Sequence, residues 1–204
     1  QAFTKQYSAT RYVMSGKATI NFAPNGVEVS CLCEISRTLY MDLDYDVSFC
    51  EIKPTEYSKT LQIIQVDAPS SSPATGAAAI VPGQTTIAAI GFPAKDLKHY
   101  DDEFPTLLKN IYEDVFSTKR ISPGLVKSVG PLKDPNVDES LDFLSHDCST
   151  LPGNSGSVII RLDNCKPVAL HFQGTYKVQN DSVPIDAVYE ALQAALNNQK
   201  NSTQ

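Results

Sequence analysis

Residues 148–160 read Cys-Ser-Thr-Leu-Pro-Gly-Asn-Ser-Gly-Ser-Val-Ile-Ile, a polar turn that runs straight into a β-branched stretch. Ser155 stands between Gly153 and Gly156. Glycine takes backbone angles that other residues resist, so such a turn can expose a hydroxyl while its N–H groups converge on one point. Those are the parts of an acyl-transfer site. The order constrains the fold as well as the chemistry: loop, then serine, then strand through Val158, Ile159 and Ile160. The four residues Gly-Asn-Ser-Gly are by themselves also an ordinary polar turn, because these residue types dominate turns everywhere.

The rest of the chain is written mainly in short strands broken by turn signals. Residues 18–22, 27–35 and 47–52 read as strands, the first two separated by Pro24-Asn25-Gly26. Residues 61–66 read as a further strand, and 68–83, rich in Pro, Ser, Ala and Gly, as a linker. Strands resume at 87–90, 125–129, 157–162 and 167–172. Between them Leu107, Leu108, Ile111, Tyr112, Val115 and Phe116 recur at helical spacing behind Pro105, which predicts an inserted helix with one apolar face. Residues 184–197 read as a terminal helix.

The nucleophile elbow of the α/β-hydrolases needs a strand before its serine and a helix after it. Here Pro152 and a polar stretch from Ser145 precede, a strand follows, and Ser157 stands where the last glycine of that pattern belongs. The order resembles instead the trypsin-like serine peptidases of the chymotrypsin fold, in detail closest to their glutamyl endopeptidase branch. Residues 46–52, Asp-Val-Ser-Phe-Cys-Glu-Ile, resemble the family's acid motif. Residues 87–93 resemble the strand ending in Gly-Phe-Pro that opens the second barrel, and 168–176 the substrate-binding strand. The resemblance runs from about Ala18 to the C-terminal helix, with a long departure at 94–118.

What this implies is an all-β, chymotrypsin-like double β-barrel whose first barrel is incomplete. Residues 1–69 would be the remainder of that barrel and 70–84 the linker. Residues 85–204 would be the second barrel, with the helical insert at about 103–118 and the C-terminal helix. By the same resemblance Ser155 is the nucleophile and Asp46 the triad acid, and the backbone N–H groups of Gly153 and Ser155 form the oxyanion hole. Phe172, Gln173 and Gly174 offer backbone groups to an extended substrate. Thr150, five positions before Ser155, and His171, sixteen after it, would read Glu, Gln or Asp on the acyl side of the scissile bond. Chemically an imidazole and a hydroxyl suit a carboxyl or amide oxygen, although a lone histidine on an apolar strand is more often a satisfied core residue. Asp42, Asp44 and Asp46 alternate, which on a strand is the mark of an acidic solvent face; only the framing of Asp46 sets it apart.

The triad histidine is the missing part. This fold orders its triad His, Asp, Ser, yet the three histidines are His99, His146 and His171, none before Asp46. His99 reads as an exposed residue of the departing segment and His146 as a structural one in the loop before the serine. A serine hydroxyl is a weak nucleophile without an imidazole to accept its proton, help worth roughly 10²–10⁴ in rate. The expected partners are therefore a peptide substrate and an N-terminal segment or chain supplying the histidine and the missing strands, whose absence would leave unpaired edges. The alternative is a catalytically inactive relative that binds a peptide or partner in the same cleft.

Bulk properties narrow the class. Net charge −6 and a pI near 5.0 speak against a nucleic-acid binder, and no apolar run approaches the ~20 residues of a membrane span. Five cysteines without metal-ligand spacing predict neither metal nor cofactor; reduced, buried thiols are the default and favour an intracellular over a secreted setting. Asn180-Asp-Ser and Asn201-Ser-Thr match the glycosylation acceptor pattern, which has meaning only in a secreted chain.

Overall fold

Strand β4 (Thr86–Gly91) is the centre from which the larger unit is built, because Ile87, Ala88 and Ala89 are all buried and small side chains let two neighbours approach. In this computed structural model, which describes residues 18–21, 31–42, 45–61, 80–96, 98, 101–131, 141–189, 193 and 197, β4 pairs on one side with β5 (Arg120–Pro131) and on the other with β7 (Val158–Arg161). With β6 (Asp142–His146), β8 (Pro167–Thr175) and β9 (Gln179–Pro184) they close an antiparallel barrel in the order β4-β5-β6-β9-β8-β7. Closure pairs each strand with two neighbours, although β8 beyond His171 has its ladder partners on β9 alone. Ile87, Ala89, Val126, Leu144, Ile159 and Ala169 fill its interior with Cys148.

A smaller antiparallel sheet precedes it: β1 (Thr19–Asn21), β2 (Leu32–Asp42) and β3 (Val47–Ile52), with β2 central. Among the described residues, the outer edges of β1 and β3 carry no further strand. Val47 of β3 joins Phe143, Val183 and Val188 in a second apolar cluster, with Tyr45, Phe49, Leu170 and Phe172 packed around it. That cluster fastens the sheet to the barrel wall. Residues 185–189 are helical, as are positions 193 and 197, and Val188 is this helix's contribution to the cluster.

The expected all-β architecture holds, with two strands added to the reading and one helix shortened. β6 and β9 were not anticipated, because Ser145, His146, Gln179, Asn180, Asp181 and Ser182 give them a polar face that reads as loop. The inserted helix α1 (Phe104–Tyr112) stops one turn short of Phe116. Glu113 and Asp114 take φ of +51° and +58°, reversing the chain, while the Arg120 guanidinium donates to the carbonyls of Tyr112 (2.6 Å) and Val115 (3.2 Å). Terminal carbonyls are stabilised by such a cation. Phe116 still stacks on Tyr112, so its apolar spacing reflects packing beyond the helix rather than within it. Residues 62–66 of the expected strand and most of the linker lie outside the described residues, as do His99, Asp44 and the acceptor pattern at Asn201.

Candidate active site

The serine turn lies between Cys148, buried on the barrel core, and β7. Gly153 and Gly156 have φ of +90° and +84°, values that L side chains rarely adopt. Asn154 is buried and Ser155 exposed. The turn is held by the N–H of Asn154 on the Leu151 carbonyl (3.1 Å), of Ser157 on Asn154 (2.8 Å) and of Gly156 on His171 (2.7 Å). Among the described residues, the N–H groups of Gly153 and Ser155 have no intramolecular acceptor. The Ser155 hydroxyl donates to the Phe172 carbonyl at 3.1 Å. Beneath the turn Gly91 leaves no space: a Cβ there would lie 1.8 Å from Ser157 Oγ and 2.5 Å from Asn154 Oδ1.

Ser155 opens on a cleft of about 500 Å³ whose walls include Thr150, His171, Phe172, Gln173 and Gly174. The six residues are thus brought together. Thr150 Oγ1 donates to Asn180 Oδ1 at 2.5 Å, and Asn180 Nδ2 to the Cys148 carbonyl at 2.8 Å. Gly174 provides the room, since a Cβ on it would sit 2.2 Å from Asn180 Oδ1. With both ends of its amide engaged inside the cleft, Asn180 is poorly placed to carry a glycan. The acceptor pattern had hidden a site residue.

His171 is 4% exposed, and its Nδ1 is buried without a partner. Its neighbour is His146, not in a loop as expected but fully buried on β6, with the two rings edge to face at 5.4 Å. His146 Nδ1 accepts the Cys148 N–H (3.2 Å), leaving its Nε2 unpartnered. Behind them the buried Asp181 carboxylate receives Ser145 Oγ (2.7 Å), Gln179 (3.0 Å) and Gln173 (3.3 Å). Thus the Gln173 side chain belongs to this network, and Asn180 and Asp181 are the residues that the sequence pattern concealed.

Burial pushes His146 down to about 4, the facing His171 adding to the shift and Asp147 opposing it. Burial likewise pushes His171 down to about 4, against the Asp181 charge and a hydrogen bond to the Asp181 backbone. Both rings are therefore neutral near pH 7. An unfolded imidazole titrates near 6.5, so the unfolded chain takes up protons first as pH falls. The stability is fully present above about pH 6.5 and is lost as pH falls towards 4, by about 3 kcal/mol per histidine at most. Urea-unfolding midpoints taken across that window should decline steadily towards acid; a flat profile would contradict the burial of the pair.

Asp46 lies at the β2–β3 turn with φ of +51° and an exposed side chain. It does not line the cleft and shares no hydrogen bond with Ser155. The connection between them is aromatic: Tyr45 packs edge to face on Phe143 (5.5 Å), Phe143 on Phe172 (5.4 Å), and Phe172 holds the Ser155 hydroxyl. Asp42, by contrast, serves the turn itself, accepting the Tyr45 N–H (3.0 Å) and the Tyr40 hydroxyl (2.6 Å). All five cysteines are free thiols; Cys31, Cys33 and Cys148 are buried, Cys50 half-buried and Cys165 exposed.

No protein-family model matches the chain. A curated protein from Lysobacter enzymogenes, named a probable serine protease, is 34% identical over 116 residues, 54% of this chain and 29% of the relative. The chain thus spans less than a third of that relative's length. Among solved structures, the HtrA-type protease AlgW with decapeptide is similar at a TM-score of 0.54 and 12% identity, over 88% of this chain and 51% of that one. The MamO protease domain from Magnetospirillum magneticum is similar at 0.50 and 12%, over 80% and 71%. At such identities the likeness is one of fold, and the fold is that of the chymotrypsin-like proteases.

Proposed function

We propose that the chain is the serine-bearing part of a trypsin-like serine endopeptidase. Ser155 is its nucleophile, Asp46 its triad acid, and the N–H groups of Gly153 and Ser155 its oxyanion donors. The observation that carries this reading is the serine turn, in which an exposed hydroxyl stands beside two backbone donors that have no acceptor among the described residues. Donors of this kind contribute about 2.7–4 kcal/mol to comparable acyl transfers. The general base would be an imidazole from a segment or chain outside these 204 residues, because the family orders its triad His, Asp, Ser and no histidine precedes Asp46; His146 and His171 are in addition buried. The described sheet edges at β1 and β3 are where such a segment would pair. The relative from Lysobacter enzymogenes and the protease folds support the class of chemistry.

Substrate would lie as an added strand along Phe172–Gly174. Its acyl-side residue would be Glu, Gln or Asp, reaching Thr150 and the His171 ring. A neutral imidazole carries one donor and one acceptor nitrogen, the donor suiting a substrate oxygen, and a hydroxyl can turn its donor from Asn180 to that same oxygen.

The test is a fluorophosphonate probe applied to the complete protein. Covalent labelling that maps to Ser155 and vanishes in Ser155→Ala is the expected result. An unlabelled Ser155 in that form would replace the peptidase with a peptide-binding module. A cleavage profile favouring Arg, Lys or large apolar residues at the acyl position would overturn the acidic preference alone.

A further inference from the structure

Helix α1 falls in the segment that departs from the family resemblance, and it supplies one wall of the cleft. Leu107, Leu108 and Ile111 line the same cavity as Thr150, His171 and Ser155. Ile111 is 44% exposed, so this apolar face is not absorbed by the protein's own packing. The helix is held at both ends. Asp101, just before it, accepts the Tyr176 hydroxyl (3.1 Å) and Lys177 Nζ (2.9 Å), and Glu103 accepts Lys177 Nζ at 2.6 Å. Phe104 packs edge to face on Tyr176, and at the far end Arg120 grips the last carbonyls. Anchored in this way, the helix is a wall rather than a loose flap.

Cavities of about 300–1,000 Å³ hold whole drug-sized molecules, so 500 Å³ exceeds what one carboxyl or amide side chain fills. The cavity is polar at Thr150, His171 and Asn180 and apolar at α1. We propose that α1 forms a second recognition pocket, continuous with the first, which takes a large apolar side chain of the bound peptide at a position other than the acyl residue. This rests on the peptidase reading in that the ligand is an extended peptide lying along β8 with its acyl residue at Ser155. Leu, Phe or Met would bury there against Leu107, Leu108 and Ile111. Discrimination between a filled and an empty apolar pocket is worth about 10–200-fold.

The experiment measures dissociation constants of fluorescent peptides for the complete Ser155→Ala protein. A scan places Leu, Phe, Lys or Ala in turn at each position flanking a fixed acyl-side Glu. One position is expected to favour Leu or Phe over Ala by about tenfold or more. Ile111→Ser should abolish that preference, and Ile111→Glu should transfer it to Lys; Ile111 is 44% exposed, and circular dichroism verifies that both variants fold. A general loss of folding would weaken all peptides alike and could not create a preference for Lys. Equal binding of Leu and Ala at every position, an unchanged preference in both variants, or no peptide binding at all overturns the proposal. Labelling of Ser155 in the wild-type protein reports on the serine chemistry separately. A labelled serine without apolar selectivity sinks the wall alone, and selectivity without labelling sinks the peptidase alone.

Discussion

Ser155→Ala in the complete protein should lower kcat/KM for a cleaved peptide by about 10⁴–10⁶-fold, the loss seen when an acyl-forming serine is removed and only donors and binding remain. The effect should fall on kcat, because the hydroxyl is an exposed group at the cleft mouth whose one hydrogen bond among the described residues is to the Phe172 carbonyl. Folding stability should move by no more than about 1 kcal/mol, the net worth of one such hydrogen bond. This separates Ser155 from residues that act by holding the turn. Progress curves with a quenched peptide, read beside urea unfolding of the same variant, make the comparison. A variant retaining a tenth or more of the activity would remove Ser155 from the mechanism.

Gly91→Ala should have the largest effect on folding. The added methyl would sit 1.8 Å from Ser157 Oγ, 2.5 Å from Asn154 Oδ1 and 2.9 Å from Ser157 Cβ. Asn154 is 4% and Ser157 6% exposed, so neither side chain has an easy way out. Overpacking of this kind costs about 1–3 kcal/mol and sometimes more. The strain lies directly under the serine turn, so probe labelling of Ser155 should fall together with the urea midpoint. Full stability in the alanine variant would mean that Ser157 rotates aside freely.

Much of this was legible in the residue pattern because the chemistry is local. The glycines around Ser155 and the β-branched run after it are contiguous, and so is the Val47–Ile52 strand behind Asp46; in each case neighbours along the chain are neighbours in the fold. What escaped depends on contacts across the barrel. Gln179–Ser182 reads as a polar loop because its residues are polar and what holds them in a strand lies far along the chain: Asp181 is satisfied by Ser145, a residue 36 positions away. His146 looked like a loop residue for the same reason, since its burial comes from pairing with β5 and β9. The apolar spacing of the insert predicted a helix but not which surface it would meet, because periodicity records that a face is apolar and not what lies opposite. Its length was overread where Phe116 packs on Tyr112 after the chain has already turned.

The three rings of Tyr45, Phe143 and Phe172 form a mechanical linkage between two sheets that are distant in sequence. The small sheet is therefore more than a neighbour of the barrel: its turn is joined, contact by contact, to the strand whose carbonyl accepts the serine hydroxyl.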